Sequence, residues 1–311
     1  MLLGSANSST SSREHTESTP ELAIKRTMHQ AYDASSPHES KQAGKRTRVA
    51  CLGDSLTRGD ALHEPPYGTH APWSFQSNMH SRGNYPATLQ TLLGSRWHVA
   101  NFGHSGWSSL DLATVYSRKQ GGRGFSGWRQ LACYGPQLVL LMVGTNDVLH
   151  ATGYGSAIGL NESQVATGFR HGLNSTLYSL LALPSQPYVV LLDPPPIGPA
   201  AAAHKEHTCL NKLIPSLLAG AARGLPRVHH LSGRAIWGAC PDRQRACCLM
   251  HIDDQIHLNA IGSEALARQV FGWITRTQFM GQRLTHVPVQ DAHDVTLLRT
   301  HATHTGTGPR M

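Results

Sequence analysis

Short apolar runs alternate with longer segments of helical pattern through the middle of the chain. The strand candidates are VACLG (49–53), HVANFG (98–103), LVLLMVG (138–144), YVVLLD (188–193) and RVHHL (227–231). The runs at 138–144 and 188–193 are continuously apolar, which is typical of strands covered on both faces of a parallel sheet. The pattern therefore predicts about five strands with a buried pair among them.

Segments with helical periodicity separate these strands. They are TLQTLLG (88–94), SQVATGFRHGLNSTLYSLLAL (163–183), NKLIPSLLAGAARG (211–224) and, after the punctuation of Gly262 and Ser263, EALARQVFGWITR (264–276). Strands joined by helices of this length imply right-handed crossovers, so we predict an α/β fold: a three-layer α/β/α sandwich of about five parallel strands. Ligands of such sheets bind beyond the carboxyl ends of the strands, which is where chemistry is expected.

The periodic pattern covers only part of the chain. Residues 1–45 are rich in Ser, Thr, His and Glu and predict a disordered N-terminal extension. Residues 280–311 lose the pattern again and predict a flexible, His-rich C-terminal tail. The folded domain is therefore expected at 46–279, and no internal repeat is apparent in it.

Composition narrows the class of protein. A hydrophobic content of 40% excludes disorder throughout, and no stretch approaches the roughly 18 uncharged apolar residues of a membrane span. Lys and Arg outnumber Asp and Glu by 27 to 19, mostly within the predicted domain, which favours anionic partners. The basic residues are scattered and no nucleic-acid-binding signature appears, so we expect no nucleic acid partner.

No signal peptide is visible at the start, and compartment and oligomeric state stay open.

Three strand candidates end in motifs that carry polar groups. GDSLTRG places Ser55 at a strand-to-helix turn, with its hydroxyl above the sheet and its N–H near a helix N-terminus. NFGHSG places Gly103 where another molecule can approach a free backbone N–H closely. GTND places Asn146, whose amide can donate into the same space. Taken singly, each has an ordinary interpretation: a helix cap for Ser55, and turn residues for the other two.

A fourth motif, HIDDQIH, precedes the last predicted helix. It places Asp254 three residues before His257, and a general base for a serine needs such a partner because the wrong tautomer cannot accept the hydroxyl proton. In a chain with 20 histidines this spacing alone is weak evidence. Four such motifs in order, at three strand ends and one loop before a helix, are far less expected by chance.

These motifs resemble the four sequence blocks of the SGNH hydrolase superfamily, the GDSL-type esterases and lipases: GDSLT (53–57), NFGHSG (101–106), GTND (144–147) and DDQIH (253–257). The resemblance implies a flavodoxin-like sandwich in which Ser55 is the nucleophile, His257 the general base and Asp254 the residue that orients His257. It further implies an oxyanion hole made of the Ser55 and Gly103 backbone N–H groups and the Asn146 side chain. The implied reaction passes through an acyl-enzyme and needs no metal or cofactor.

Segments around the motifs are similar to GDSL-type acetyl esterases that act on carbohydrates, including sialate O-acetylesterase-like proteins. We therefore expect a small-molecule or carbohydrate ester with a small acyl group, foremost acetyl, and the positive charge is compatible with an anionic substrate. The alternative is a lipid-type esterase, lysophospholipase or thioesterase, which needs a long apolar groove.

Two other groups of residues leave alternatives open. Ser105 would be the nucleophile of a G-x-S-x-G elbow, but Trp107 occupies the position of the last glycine. A Cys and His cluster near the end of the domain permits disulfides or free thiols, and its spacings match none of the usual zinc ligand pairs. Its members are His204, His207, Cys209, Cys240, Cys247 and Cys248.

Overall fold

A parallel β-sheet forms the centre of the protein. The computed structural model describes residues 46–60, 83–116, 127–151, 160–197, 207–238, 249–250 and 255–277. The strands of the sheet are β1 (Thr47–Gly53), β2 (Trp97–Gly103), β3 (Leu138–Met142), β4 (Tyr188–Leu192) and β5 (Val228–Leu231). They lie in the order β2-β1-β3-β4-β5 and every neighbouring pair is parallel. This is the flavodoxin-like order, and the predicted fold class and all five predicted strands are confirmed.

Helices connect the strands. Within the described ranges they are α1 (Ser55–Arg58), α2 (Tyr85–Leu93), α3 (Ser109–Val115), α4 (Gly127–Tyr134), α5 (Thr145–Ala151), α6 (Glu162–Leu181), α7 (His207–Gly224), α8 (Arg234–Trp237) and α9 (Ala260–Arg276). The four predicted helices are confirmed as α2, α6, α7 and α9. Helix α1 is the one expected after the strand-to-helix turn at Ser55. The other four escaped prediction because elements of eight residues or fewer show too little periodicity.

The helices cover both faces of the sheet. Because successive strand residues face opposite sides, β1 contributes to two separate cores. Ala50 and Leu52 belong to the core with α3, α4, α6 and α7, whereas Val49 and Cys51 belong to the core with α2, α8 and α9. All four side chains are fully buried. The sheet is therefore the middle layer of the predicted three-layer sandwich.

The last helix begins earlier than its periodicity suggested. The pattern placed its start at 264, after Gly262 and Ser263, but α9 begins at Ala260. The side chain of Asn259 caps it by accepting a hydrogen bond from the Gly262 N–H at 3.0 Å. Gly262 and Ser263 therefore lie in the first turn of α9, immediately after the motif that contains His257.

Some predictions concern segments outside the described residues. These are the N-terminal extension at 1–45, the tail at 280–311 and the side chains of the Cys and His cluster. The thiols of Cys51 and Cys133 are free. Over the described ranges there is no group of three side chains suited to a metal ion, and no helix there is long and apolar enough to cross a membrane.

Candidate active site

The carboxyl ends of three adjacent strands bring the first three motifs together. Gly53 at the end of β1 is in register with Gly103 of β2 on one side and Met142 of β3 on the other. The loops after these strands therefore leave the sheet at the same level. They carry Ser55 and Asn146, as the sequence predicted, to one edge.

Ser55 is the first residue of α1, and its environment leaves its backbone N–H available. Asp54 is the N-cap, and its Oδ1 accepts a hydrogen bond from the Leu56 N–H at 3.0 Å. The Ser55 N–H makes no hydrogen bond to another described residue, as expected for an N–H in the first turn of a helix. This group can therefore donate to a ligand.

His257 lies against the nucleophile candidate, since its Nε2 is 2.9 Å from the Ser55 Oγ. The loop that carries it is fixed on its C-terminal side: Leu258 forms an antiparallel bridge with Met250, and the Asn259 N–H donates to the Leu249 carbonyl at 3.1 Å. Asp254 lies outside the described residues, so its role in orienting His257 stays a prediction.

Asn146 is held against the loop that follows β2. Its Nδ2 donates to the Trp107 carbonyl at 3.0 Å, and the residue is buried. An amide nitrogen has two hydrogens, so the second can donate to another acceptor. The amide of Asn146 is therefore held beside the Gly106–Trp107 segment, and its role in the oxyanion hole stays a prediction.

The predicted role of Gly103 disagrees with its contacts. Its N–H donates to the Asn101 Oδ1 at 2.9 Å, so it cannot serve an oxyanion without breaking that hydrogen bond. A Cβ at this position would lie 2.3 Å from the Arg58 nitrogen, because β2 packs closely on the backbone of α1. Close packing thus accounts for a glycine at position 103. The expectation that the Gly103 N–H is a free donor is wrong.

Gly106, in the same motif, has the properties that Gly103 lacks. It is exposed, its φ of +76° suits glycine, and its N–H makes no hydrogen bond to another residue of the described part of the chain. It also directly precedes Trp107, whose carbonyl holds Asn146. The motif contains two glycines, and its sequence alone does not show which of them offers a free N–H. The one available signal is that Gly103 ends a predicted strand, whereas Gly106 lies in the loop after it.

Two buried carboxyls lie beneath this edge of the sheet. Burial raises the pKa of Asp54 to about 7, and the neighbouring Asp147 and Asp60 add to this effect. Burial also raises the pKa of Asp147, which accepts hydrogen bonds from the Ser109 N–H and hydroxyl at 2.9 and 2.5 Å. Asp147 thereby ties the start of α5 to the start of α3.

The imidazole of His104 is neutral and packs against the loop that follows β2. Burial, with Arg58 nearby, lowers the pKa of His104 to about 3, so this ring is uncharged at neutral pH. Its Nε2 lies 3.1 Å from the Tyr116 hydroxyl, and it stacks on the Trp107 indole with ring centroids 3.7 Å apart. His104 thus helps to place Trp107, whose carbonyl accepts from Asn146.

The contacts of Ser105 argue against it as the nucleophile. Its hydroxyl accepts a hydrogen bond from Arg58 Nη1 at 2.9 Å and donates to the carboxylate of Asp60. Arg58 is a cation that cannot take the proton, and Asp60 is already paired with Arg58, in contrast to the histidine at Ser55. Ser105 instead joins the loop after β2 to the turn that carries Ser55.

A second Asp–His pair lies at the ends of β4 and β5. His230 Nε2 is 2.6 Å from Asp193 Oδ1, and the other carboxylate oxygen accepts from the Gly233 N–H at 2.9 Å. Both side chains are buried. This pair fastens the exit of β4 to β5 and the start of α8, and sequence spacing gave no signal for it.

A surface depression opens beside Ser55 and His257. Its lining combines the nucleophile turn with the start of the last helix: Ser55, Leu56, Gly59, Asp60, His257, Leu258 and Ser263. The depression therefore borders both the serine and the histidine.

The flavodoxin-like sandwich thus brings a serine and a histidine together at the carboxyl edge of its sheet. Residues 51–265 match the GDSL-like Lipase/Acylhydrolase family, and the chain belongs to that family. The family places it among carboxylic ester hydrolases, and the resemblance seen in the four motifs is confirmed.

Several known proteins are similar to this chain. A stretch of 100 residues is 30% identical to an acetylxylan esterase of Xylanibacter ruminicola and covers 32% of this chain but only 17% of that relative. The structure of a catalytic mutant of Axe2, an acetylxylan esterase from Geobacillus stearothermophilus, has a TM-score of 0.50 at 17% identity and covers 78% of this chain and 98% of its own. A carbohydrate acetylesterase family member from Sinorhizobium meliloti has a TM-score of 0.49 at 21% identity, covering 76% and 100%.

Proposed function

We propose that the protein hydrolyses esters of small acyl groups, foremost acetyl esters, through an acyl-enzyme formed on Ser55. The observation that carries this proposal is the 2.9 Å contact between the Ser55 hydroxyl and His257 Nε2 in a member of the GDSL family. A hydroxyl is a weak nucleophile unless an adjacent base takes its proton, and we assign the role of that base to His257.

In the first half of the reaction, Ser55 Oγ attacks the ester carbonyl while His257 Nε2 accepts its proton. A carboxylate at Asp254 would hold the proton on Nδ1 and so keep Nε2 basic. The tetrahedral oxyanion needs preset donors. We assign this role to the N–H groups of Ser55 and Gly106 and to the free amide hydrogen of Asn146.

In the second half, His257 returns the proton to the leaving alcohol, and the bond between that oxygen and the acyl carbon breaks. His257 then takes a proton from water as the water oxygen attacks the acyl-enzyme, and Ser55 recovers its proton as the acid leaves. In this proposed cycle, the groups that act on the ester and on water are side chains and backbone N–H groups of this chain.

Acetylated carbohydrate is the substrate class we favour. The relative that aligns with part of this chain is an acetylxylan esterase. The segments around the four motifs also resemble GDSL-type acetyl esterases that act on carbohydrates. The alternative is a lipid-type esterase, lysophospholipase or thioesterase.

A panel of p-nitrophenyl esters from acetyl to octanoyl, together with acetylated xylo-oligosaccharides and O-acetyl sialic acid, tests the proposal on the full chain. We expect kcat/KM to fall steeply beyond propionyl and Ser55→Ala to abolish hydrolysis. Ser216→Ala, which removes an exposed hydroxyl on α7, is the matched control and should behave as wild type. Unchanged hydrolysis by Ser55→Ala would contradict the mechanism, and a preference for octanoyl would favour the lipid alternative.

Positive charge on the chain makes an anionic sugar a second candidate substrate. Comparing O-acetyl sialic acid with neutral acetylated xylo-oligosaccharides at low and high ionic strength distinguishes them, since salt screens long-range attraction. A fall in kcat/KM with salt for the acidic sugar alone would support the anionic substrate.

A further inference from the structure

Three side chains form a closed ring of contacts between the nucleophile turn and the loop after β2. Arg58 Nη1 donates to Ser105 Oγ at 2.9 Å, Ser105 Oγ donates to Asp60, and Arg58 Nε lies 3.2 Å from Asp60 Oδ1. Arg58 ends α1 and Asp60 follows two residues later, so both belong to the turn that begins at Ser55. We name Arg58, Asp60 and Ser105 the clasp.

The clasp acts on one peptide unit. The carbonyl of Ser105 and the N–H of Gly106 share a planar peptide, so holding the Ser105 side chain restrains the direction of that N–H. The restraint matters because Gly106, at φ +76°, belongs to the residue type with the greatest backbone freedom. Oxyanion donors work only when they are already in place, at about 2.7 to 3.1 Å from the developing charge.

We propose that Arg58 and Asp60 are positioning residues for the reaction: through Ser105 they hold the Gly106 N–H at a set place relative to Ser55. This inference rests on the proposed function, since it assumes that Gly106 serves the oxyanion. It concerns the transition state rather than substrate binding, because the clasp restrains a group that meets negative charge only after Ser55 has attacked.

The chemistry of the clasp suits a restraint better than a binding site for an anion. The planar guanidinium presents several N–H groups in fixed directions, so Arg58 contacts Ser105 and Asp60 at once, which a lysine ammonium does less well. Asp60 balances the charge of Arg58. Both side chains are partly exposed, at 38% and 27%, and such pairs contribute little to stability. Variants of the clasp should therefore fold.

The test measures kcat, KM and inhibition by phenylboronic acid for Arg58→Met, Ser105→Ala and the double variant. We expect each single variant to lower kcat by about 10- to 100-fold, less than full loss of an oxyanion donor, with KM within about twofold. The inhibition constant of the boronic acid should rise by a similar factor, because its tetrahedral adduct with Ser55 uses the oxyanion donors. The double variant should be no worse than either single one, since both act through the same peptide.

Two further variants sharpen the test. Arg58→Lys should have a kcat between those of Arg58→Met and wild type. A lysine keeps a positively charged donor but lacks the planar guanidinium that contacts both partners at once. Arg170→Met removes an exposed arginine on α6 and is the matched control, with wild-type kinetics expected. If Arg58→Met fails to fold, Ser105→Ala still tests the proposal, because it breaks the same contacts by removing a single oxygen from the loop after β2.

Three results would overturn the inference. A raised KM with unchanged kcat would make Arg58 a substrate contact, additive losses in the double variant would make the two residues independent, and wild-type kinetics in all variants would leave the clasp without a role. A wild-type chain that hydrolyses none of the esters would instead remove the proposed function, so the two failures are distinguishable.

Discussion

His257 Nε2 lies 2.9 Å from Ser55 Oγ although 202 residues separate the two in the chain. The serine follows β1, which lies between β2 and β3 in the sheet, whereas the histidine is on the loop before α9, which packs on the same side as α2. The reactive pair therefore forms only when both ends of the domain have folded.

Replacing His257 by Gln should nearly abolish ester hydrolysis. The amide cannot take the serine proton, and loss of the base in comparable enzymes costs about 10⁴-fold or more in kcat. His230→Gln is the control, because it breaks a buried histidine–carboxylate pair that the mechanism does not use. It should lower the free energy of unfolding and leave the kcat of the folded protein near wild type. Equal kcat in the two variants would contradict the assignment of His257.

Replacing Asn146 by Ala should lower kcat while the protein stays folded. Loss of one oxyanion donor costs roughly 100- to 1000-fold in comparable enzymes. The lost contact with the Trp107 carbonyl should cost only about 1 kcal/mol in stability. Steady-state kinetics and thermal unfolding on the same preparation check both expectations. A variant with wild-type kcat would exclude Asn146 from the oxyanion hole.

The two glycines of the NFGHSG motif should respond differently to alanine. Gly103→Ala would place a Cβ 2.3 Å from the Arg58 nitrogen and should destabilise the protein severely. Gly106→Ala has no described atom within 4 Å of the new Cβ, so its cost is the backbone strain at φ +76°, about 1 to 2 kcal/mol. Thermal unfolding of both variants checks the order, and a Gly103→Ala protein as stable as wild type would refute the packing argument.

The stability of the protein should fall as pH rises from about 4 to 7 because of Asp54. Burial raises its folded pKa from 3.8 to about 7, so the folded state holds the proton more tightly than the unfolded state. This contribution is fully present below the unfolded pKa and is lost as pH rises through the folded one. At about 1.4 kcal/mol per unit, the loss is about 4 kcal/mol at most.

Asp54→Asn isolates this effect from that of Asp147, whose pKa shifts in the same direction. Asparagine keeps the oxygen that caps α1 but carries no charge. The variant should therefore lose less stability than wild type between pH 5 and pH 8 in denaturant titrations. Parallel curves for the two proteins would show that Asp54 does not ionise within this range.

The pattern of hydrophobic residues predicted the strands and the longer helices, because their periodicity can be seen within a short stretch of sequence. The run LVLLMVG became the fully buried β3 because a strand covered on both faces must be apolar throughout. The short helices α3 and α5 gave no such signal, and their positions depend on contacts such as that between Asp147 and Ser109. The start of α9 was misplaced because a capping asparagine, rather than periodicity, decides it.

From its sequence alone, the protein was determined to be an α/β sandwich of the GDSL type, with Ser55, Asn146 and His257 at the expected motifs. Strand periodicity carries the fold class because it depends on near neighbours, whereas the GDSL type and the roles of these residues came from the resemblance of the four motifs to that family. Only the tertiary structure decided which glycine keeps its N–H available and joined Arg58 and Asp60 to Ser105. The physical reason is that a hydrogen bond or a buried charge depends on atoms brought close by folding, and the spacing of residues along the chain does not record that distance.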